Sequence, residues 1–221
     1  MEEIKVILNH AQAEITEKKS RFIANVYEIH SEAQANEYLE AIKKKHYDAR
    51  HNCYAYVLGK LNEIQRFSDD KEPQGTAGKP ILDVIKNQGY HNTLVVITRY
   101  FGGILLGTGG LLRAYTAAAQ EGINQAEANG LSSIIYMGDA INVTSDYNLS
   151  GKVQYIINQM SIPIEDTIYD AKVTYKLAVE NSLKDMLIKK ITEATNAASV
   201  ISVDRPISFA VSDNRPVLYD L

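Results

Sequence analysis

The chain predicts an α+β protein of two domains, residues 1–132 and 133–221. Three observations lead there. Strand-like and helix-like stretches follow one another irregularly through the first part. Asn129-Gly130 is a turn signal, and the patterning changes past it. Beyond that turn, about 85 residues read strand, helix, strand, strand, helix, strand, which is the split-βαβ, ferredoxin-like order. A length of 221 residues accommodates two small domains, and no internal repeat or low-complexity tract breaks the chain.

The elements follow in order. Ala13–Ile29 reads as two strands around the charged turn EKKS. Ser31 is a good N-cap, and Glu32 to Lys45 carries Ala35, Tyr38, Leu39 and Ile42 on one helical face. Lys43, Lys44 and Lys45 suit the negative pole at that helix's end. His51–Leu58 is a strand with His51, Cys53, Ala55 and Val57 on one face and Asn52, Tyr54 and Tyr56 on the other. Arg66–Pro80 holds two prolines, two glycines and three acids, and reads as a surface loop. Thr76 is placed to cap a helix over Ala77–Gln88, which Gly89 ends. Thr93–Phe101 is a buried strand. Leu111–Ala126 is an alanine-rich helix with Leu111, Leu112, Tyr115, Ala118, Ala119 and Ile123 inward.

In the second part, Ile141–Ser145 is a strand and Leu149–Met160 a helix. Strands Ile164–Tyr169 and Lys172–Val179 meet at Asp170-Ala171. Ser182–Thr195 is a helix capped by Asn181 or Ser182. Ser199–Val211 is a last strand, where Pro206 argues for an edge or a bend.

Composition narrows the function classes. The formal net charge is −4, so bulk charge gives no support for nucleic-acid binding. The single cysteine, Cys53, excludes an intramolecular disulfide and a cysteine-rich zinc site. The start MEEIKVILNH lacks an apolar signal core, and no run approaches ~18 apolar residues. The expectation is a cytoplasmic protein without a membrane partner. Tyrosine numbers 14 while tryptophan is absent, which favours half-buried contact surfaces.

The most unusual stretch is Thr98–Gly110, TRYFGGILLGTGG. Arg99 and Arg113 supply charge, and the N–H groups of Gly102, Gly103, Gly107 and Gly109 supply donors for a phosphate or an acidic side chain. Tyr100 or Phe101 can stack on a base. The plainer alternative is a tight strand-to-helix crossing with Phe101 and Leu105 in the core. Arg99, at the end of an apolar strand, needs a partner in either case. Neither the Walker A spacing nor the dinucleotide fingerprint occurs in this segment.

A second set is His51, Asp69, Asp70, Glu72, Thr76 and Lys79. Carboxylates beside a histidine suit a metal or acid–base chemistry, and the alternative is a solvated loop beside a core histidine. No H-x-x-x-H or H-E-x-x-H spacing supports a metal, Cys53 reads as an inert core thiol, and no catalytic residue, metal or cofactor is assigned. A third set is cationic: Lys18, Lys19 and Arg21 with Lys43–Lys45. These form a local basic patch if the hairpin tip and the helix end share a face.

Four pieces resemble the IMPACT/YigZ family: KKSRF at Lys18–Phe22, ARHNCYAY at Ala49–Tyr56, DDKEPQGTAGKPIL at Asp69–Leu82, and VVITRYFGGILLGTGGLLRAY at Val95–Tyr115. One departure touches a turn. The loop reads DDKEPQG where the family more often has DDGEPSG. The resemblance implies a first domain like a domain of a small-subunit ribosomal protein and domain IV of elongation factor G. It implies a second domain like domain V of that factor. It also implies a role in translation, since eukaryotic members are translational regulators that bind a protein activator of the amino-acid-starvation kinase. On this reading the protein binds RNA, the ribosome or a translation-regulating protein through its first domain. Arg99, Arg113 and the glycine turn make the contact, with Lys19 and Arg21 assisting. The alternatives are an enzyme acting on a phosphorylated or nucleotide-like small molecule, and a protein–protein adaptor. The sequence does not set the oligomeric state.

Overall fold

The computed structural model of the chain describes residues 3–59 and 62–219. The chain divides into two compact units, Met1–Ser133 and Ile134–Leu221. Among the described residues, no helix is long and apolar enough to cross a membrane.

The first unit begins with β1 (Lys5–Ile7), β2 (Ala11–Glu17) and β3 (Ser20–Glu28), followed by α1 (Glu32–Lys45), β4 (His51–Leu58) and β5 (Ile64–Ser68). It continues with α2 (Gly78–Asn87), β6 (Thr93–Tyr100), α3 (Gly107–Ala128) and β7 (Ser132–Ile134). Five strands make an antiparallel sheet in the order β2-β3-β6-β4-β5, and β1 pairs with β7. Both faces of the sheet are covered. Phe22, Ala24, Cys53, Ala55, Val95 and Ile97 pack with Ile81, Ile85, Leu111 and Tyr115 of α2 and α3. Tyr56, Leu58, Leu94 and Val96 pack with Ala35, Leu39 and Ile42 of α1. A strand buried on both faces reads as a continuous apolar run, which is why Thr93–Tyr100 is so apolar. Ser31 caps α1 as expected, its side chain accepting from Gln34 N.

Several boundaries differ from the sequence reading. Arg66–Ser68 belongs to β5 rather than to a loop, because β4 supplies a partner for a stretch too polar to announce itself. Helix α3 starts at Gly107, so the last glycines of the rich segment lie inside it. Leu112 is exposed rather than inward.

The second unit runs β8 (Tyr136–Ser145), α4 (Tyr147–Gln159), β9 (Ile164–Tyr169), β10 (Val173–Glu180), α5 (Lys184–Ala194), β11 (Val200–Ser212) and β12 (Arg215–Tyr219). Its antiparallel sheet is ordered β12-β11-β8-β10-β9. Removing β12 leaves fourth, first, third, second, which is the ferredoxin-like arrangement. Helices α4 and α5 bury Val153, Ile157, Leu187 and Ile191 against Ile141, Val143, Leu177 and Val179. Strand β12 went unpredicted. Helix α5 has Leu183 at its N-cap with no side-chain cap, while the Ser182 hydroxyl bonds Glu180 instead. Pro206 sits just past a bulge between Val203 and Arg205, in the part of β11 that pairs only with β8. A missing N–H is tolerated there.

Candidate functional site

The first two sequence constellations turn out to be one buried cluster. Register places Phe22, Arg99 and His51 side by side across β3, β6 and β4, on the face that α2 and α3 cover. Residues 69–77 cross this face, and Glu72 dips beneath. Arg99 Nη1 donates to Glu72 Oε1 at 2.6 Å, and the Tyr115 hydroxyl donates to the same oxygen at 3.0 Å. Arg99 and Glu72 are only 6% and 8% exposed. The guanidinium carbon lies 5.5 Å from the Phe22 ring and 5.7 Å from the Phe101 ring, so two aromatic faces enclose the cation. Arg99 Nη2 reaches Ser20 Oγ at 3.5 Å, and that oxygen also accepts from Gly102 N. His51 Nδ1 donates to the Asp70 carbonyl at 2.8 Å, and its Nε2 stands 3.9 Å from Glu72. Arg99 therefore has its partner, and the partner is internal. The expectation that it meets a phosphate or acidic ligand from outside conflicts with its burial.

The acidic loop is anchored rather than solvated. Asp69 Oδ1 accepts from Ala77 N and Gly78 N at 3.0 and 2.8 Å, while Oδ2 accepts from Gly75 N at 2.8 Å. Asp69 thus satisfies the N–H groups that open α2, the role assigned to Thr76. Thr76 Oγ1 instead donates to the Pro73 carbonyl. Asp70 Oδ2 accepts from Asn52 N at 2.6 Å. Lys79 lies outside the cluster, paired on the surface of α2 with Asp83. Lys71, where the family more often has glycine, adopts φ +70°. That is the left-handed region, which favours glycine over a side chain.

This closed arrangement offers little to a nucleophilic mechanism. Burial pushes the Cys53 thiol and the Tyr115 phenol far above their ordinary ranges, so both stay protonated. The Cys53 Sγ donates to the Asp69 carbonyl at 3.0 Å and lies 3.3 Å from the Tyr115 hydroxyl. Among the described residues, no group of three or more His, Cys, Asp and Glu side chains is arranged to hold a metal ion.

Above the cluster, the glycine-rich segment lies against the β2–β3 hairpin. A Cβ on Gly102 would fall 2.0 Å from the backbone carbon of Lys19, so only glycine permits this contact. Gly103 and Gly107 have φ of +83° and +71°, values that favour glycine. Three of the segment's apolar residues are exposed, contrary to the packing alternative, while Leu106 is buried. Phe101 is 47% exposed, Ile104 43% and Leu105 83%. Lys18 and Lys19 form the two-residue hairpin tip, with φ of +45° and +68°. Such turns favour Asn-Gly, and two lysines hold the conformation at a cost in backbone energy.

Part of the cationic set gathers at one place, Arg21 with the end of α1. Arg21 lies over the Tyr100 ring, 5.6 Å from its centroid, and forms two hydrogen bonds with Glu14. The Tyr100 hydroxyl donates to Asp48 at 3.0 Å and therefore accepts from His46 Nδ1, also at 3.0 Å. His46 follows the last lysine of α1, and its pKa is lowered by burial first and then by Lys45, with Arg21 adding to the effect and Asp48 opposing it. The hairpin base, the end of β6 and the end of α1 thus share a basic, aromatic surface. Exposed Tyr47 adds to it. Arg113 lies on the other side of the glycine segment, where it and Lys18 line a cleft. Sequence reasoning passed over His46, Asp48, Ser20 and Tyr115. The first two follow the lysine run directly, and Tyr115 stands in the LLRAY motif.

Comparison with known proteins follows this geometry closely. Residues 18–123 match the Impact N-terminal domain, and residues 143–198 match a domain of unknown function, DUF1949. IMPACT family member YvyE of Bacillus subtilis is 38% identical over 188 residues, covering 85% of each chain. The chain belongs to the IMPACT family. IMPACT family member YigZ of Escherichia coli is 34% identical over 164 residues, 73% of this chain and 78% of that one. A crystal structure of a hypothetical protein superposes with a TM-score of 0.55 at 28% identity, covering 93% of this chain and 98% of that one. The IMPACT motifs quoted from the sequence supply the cluster's core: ARHNCYAY carries His51 and Cys53, DDKEP carries Glu72, and the glycine-rich motif carries Arg99 and Tyr115.

Proposed function

We propose that this IMPACT protein is a translation-linked regulator acting in the cytoplasm, and that its first unit binds RNA, on or off the ribosome. The translation link rests on the family resemblance. The RNA contact is supported by one observation: Arg21, Tyr100, His46 and the end of α1 gather at one end of the sheet, with Lys19 at the hairpin tip nearby. Lysine and arginine neutralise phosphates, and Tyr100, partly exposed beside Arg21, offers a stacking surface to an unpaired base. The net charge of −4 restricts such binding to this local patch. The exposed Arg21–Glu14 pair does not remove the arginine from use, because surface ion pairs exchange readily for a phosphate. Arg99, Glu72 and His51 serve beneath, holding the glycine segment and the acidic loop in register.

The test is titration of a single-stranded RNA oligonucleotide at several salt concentrations. Binding is expected to weaken steeply with salt, and each of Lys19→Ala and Arg21→Ala should reduce the log–log slope by roughly 0.7. Tyr100→Leu should cost about tenfold in affinity through lost stacking. His46 adds a pH signature. Its folded pKa is depressed, chiefly by burial, which favours the neutral ring, and a neighbouring phosphate would favour its protonated form. Affinity should therefore rise as pH falls below 6.5. Stability of the free protein should fall over the same window, because the unfolded chain takes up the proton more readily. Salt-independent binding, or binding indifferent to these variants, refutes the reading.

A further inference from the structure

The opposite flank of the glycine segment has a different character. A cleft of about 240 Å³ lies between the β2–β3 hairpin and the first turns of α3. Ile15, Leu106, Ala114 and Ala117 supply its apolar lining, and Lys18, Arg113 and Glu17 its charged groups. Beside it the chain exposes Leu105 at 83% and Ile104 at 43%. The two are adjacent in the chain, and exposed apolar patches rimmed by polar groups mark protein contacts.

We propose that this cleft docks a protein segment that pairs an apolar anchor side chain with acidic neighbours. Size argues for an anchor residue, because small-molecule sites run from about 300 Å³ upward, whereas this cleft suits one large side chain. Charge sets the partner's sign. Lys18 and Arg113 outnumber Glu17 along this cleft, and neither an acidic residue nor a side-chain cap satisfies the first turn of α3. A carboxylate beside the anchor meets both the cations and the positive end of the helix. The lining offers mainly aliphatic groups, which suit a leucine or phenylalanine better than the polar edge of a base. Backbone geometry supports a fixed receptor: the hairpin tip is held against Gly102, and Leu106 lies against Gly110.

The test places a photoreactive amino acid at Leu105 in the full-length chain and irradiates cells expressing it, with mass spectrometry to read the attached peptide. The expected product is a peptide of another protein with an apolar residue flanked by aspartate or glutamate. Arg113→Glu should reduce its yield at least tenfold while leaving the circular dichroism unchanged. A nuclease-sensitive product, a lipid adduct, a second copy of this chain, a peptide without acidic residues, or no product overturns the proposal. RNA titration of Leu105→Ser separates the two readings. Affinity for RNA should persist in that variant, and its failure in the unmodified chain would refute the RNA reading alone.

Discussion

Arg99 and Arg113 bracket the same glycine-rich segment, yet their surroundings are opposite. Arg99 is 6% exposed, paired with Glu72 and enclosed by Phe22 and Phe101. Arg113 is exposed on α3, beside a cleft. Their sequence surroundings look alike, and both were natural candidates to meet an anion. The difference teaches that a motif's charges divide between building a surface and presenting one. A cation under a sheet must find its counter-charge within the fold, since leaving it unpaired costs several kcal/mol. A cation at the helix surface is free to find its partner elsewhere.

Removing one member of the buried pair is the severest way to break the contrast. Glu72→Ala or Arg99→Ala should destabilise the chain by about 3–5 kcal/mol in urea unfolding, because each strands a buried charge. The double change Glu72→Leu with Arg99→Met should recover most of that loss, whereas Arg113→Ala should stay within about 0.5 kcal/mol of the parent. Equal effects at the two arginines would erase the distinction.

A smaller effect concerns the loop that carries Glu72. Asp69→Ala removes the acceptor for three backbone N–H groups at the start of α2. A loss of about 2 kcal/mol is expected, and hydrogen exchange at Gly75, Ala77 and Gly78 should quicken. Thr76→Ala should cost less, about 1 kcal/mol, since it loses a single bond to Pro73. The reverse order would return the capping role to Thr76.

The gentlest change sharpens the same point. Lys71 holds φ +70° in a turn where the family more often has glycine. Lys71→Gly should stabilise the chain by up to about 1 kcal/mol by relieving a left-handed side chain, as read from the thermal midpoint. No gain, or a loss, would mean that the lysine side chain contributes contacts outweighing the strain.

Much of the fold was legible because local physics set it. Ser31 and the helix after it, the β-forming residues of His51–Leu58 and the apolar run of Thr93–Tyr100 each state their own structure. So does the strand–helix order of the second unit. Strands β5 and β12 were not legible, since both are short, half-exposed segments that exist because a neighbouring strand pairs with them. The candidate site divides in the same way. The residue types were visible in Arg99, Glu72, His51 and the lysines, but their pairing was not. Glu72 and Arg99 are separated by 27 positions, and only the crossing of the acidic loop over the sheet brings them to 2.6 Å. By itself the sequence determined most of the elements, the glycine turn and the family. The tertiary structure decided which charges were consumed inside and which were left to a partner, because burial depends on what the rest of the chain lays over each residue.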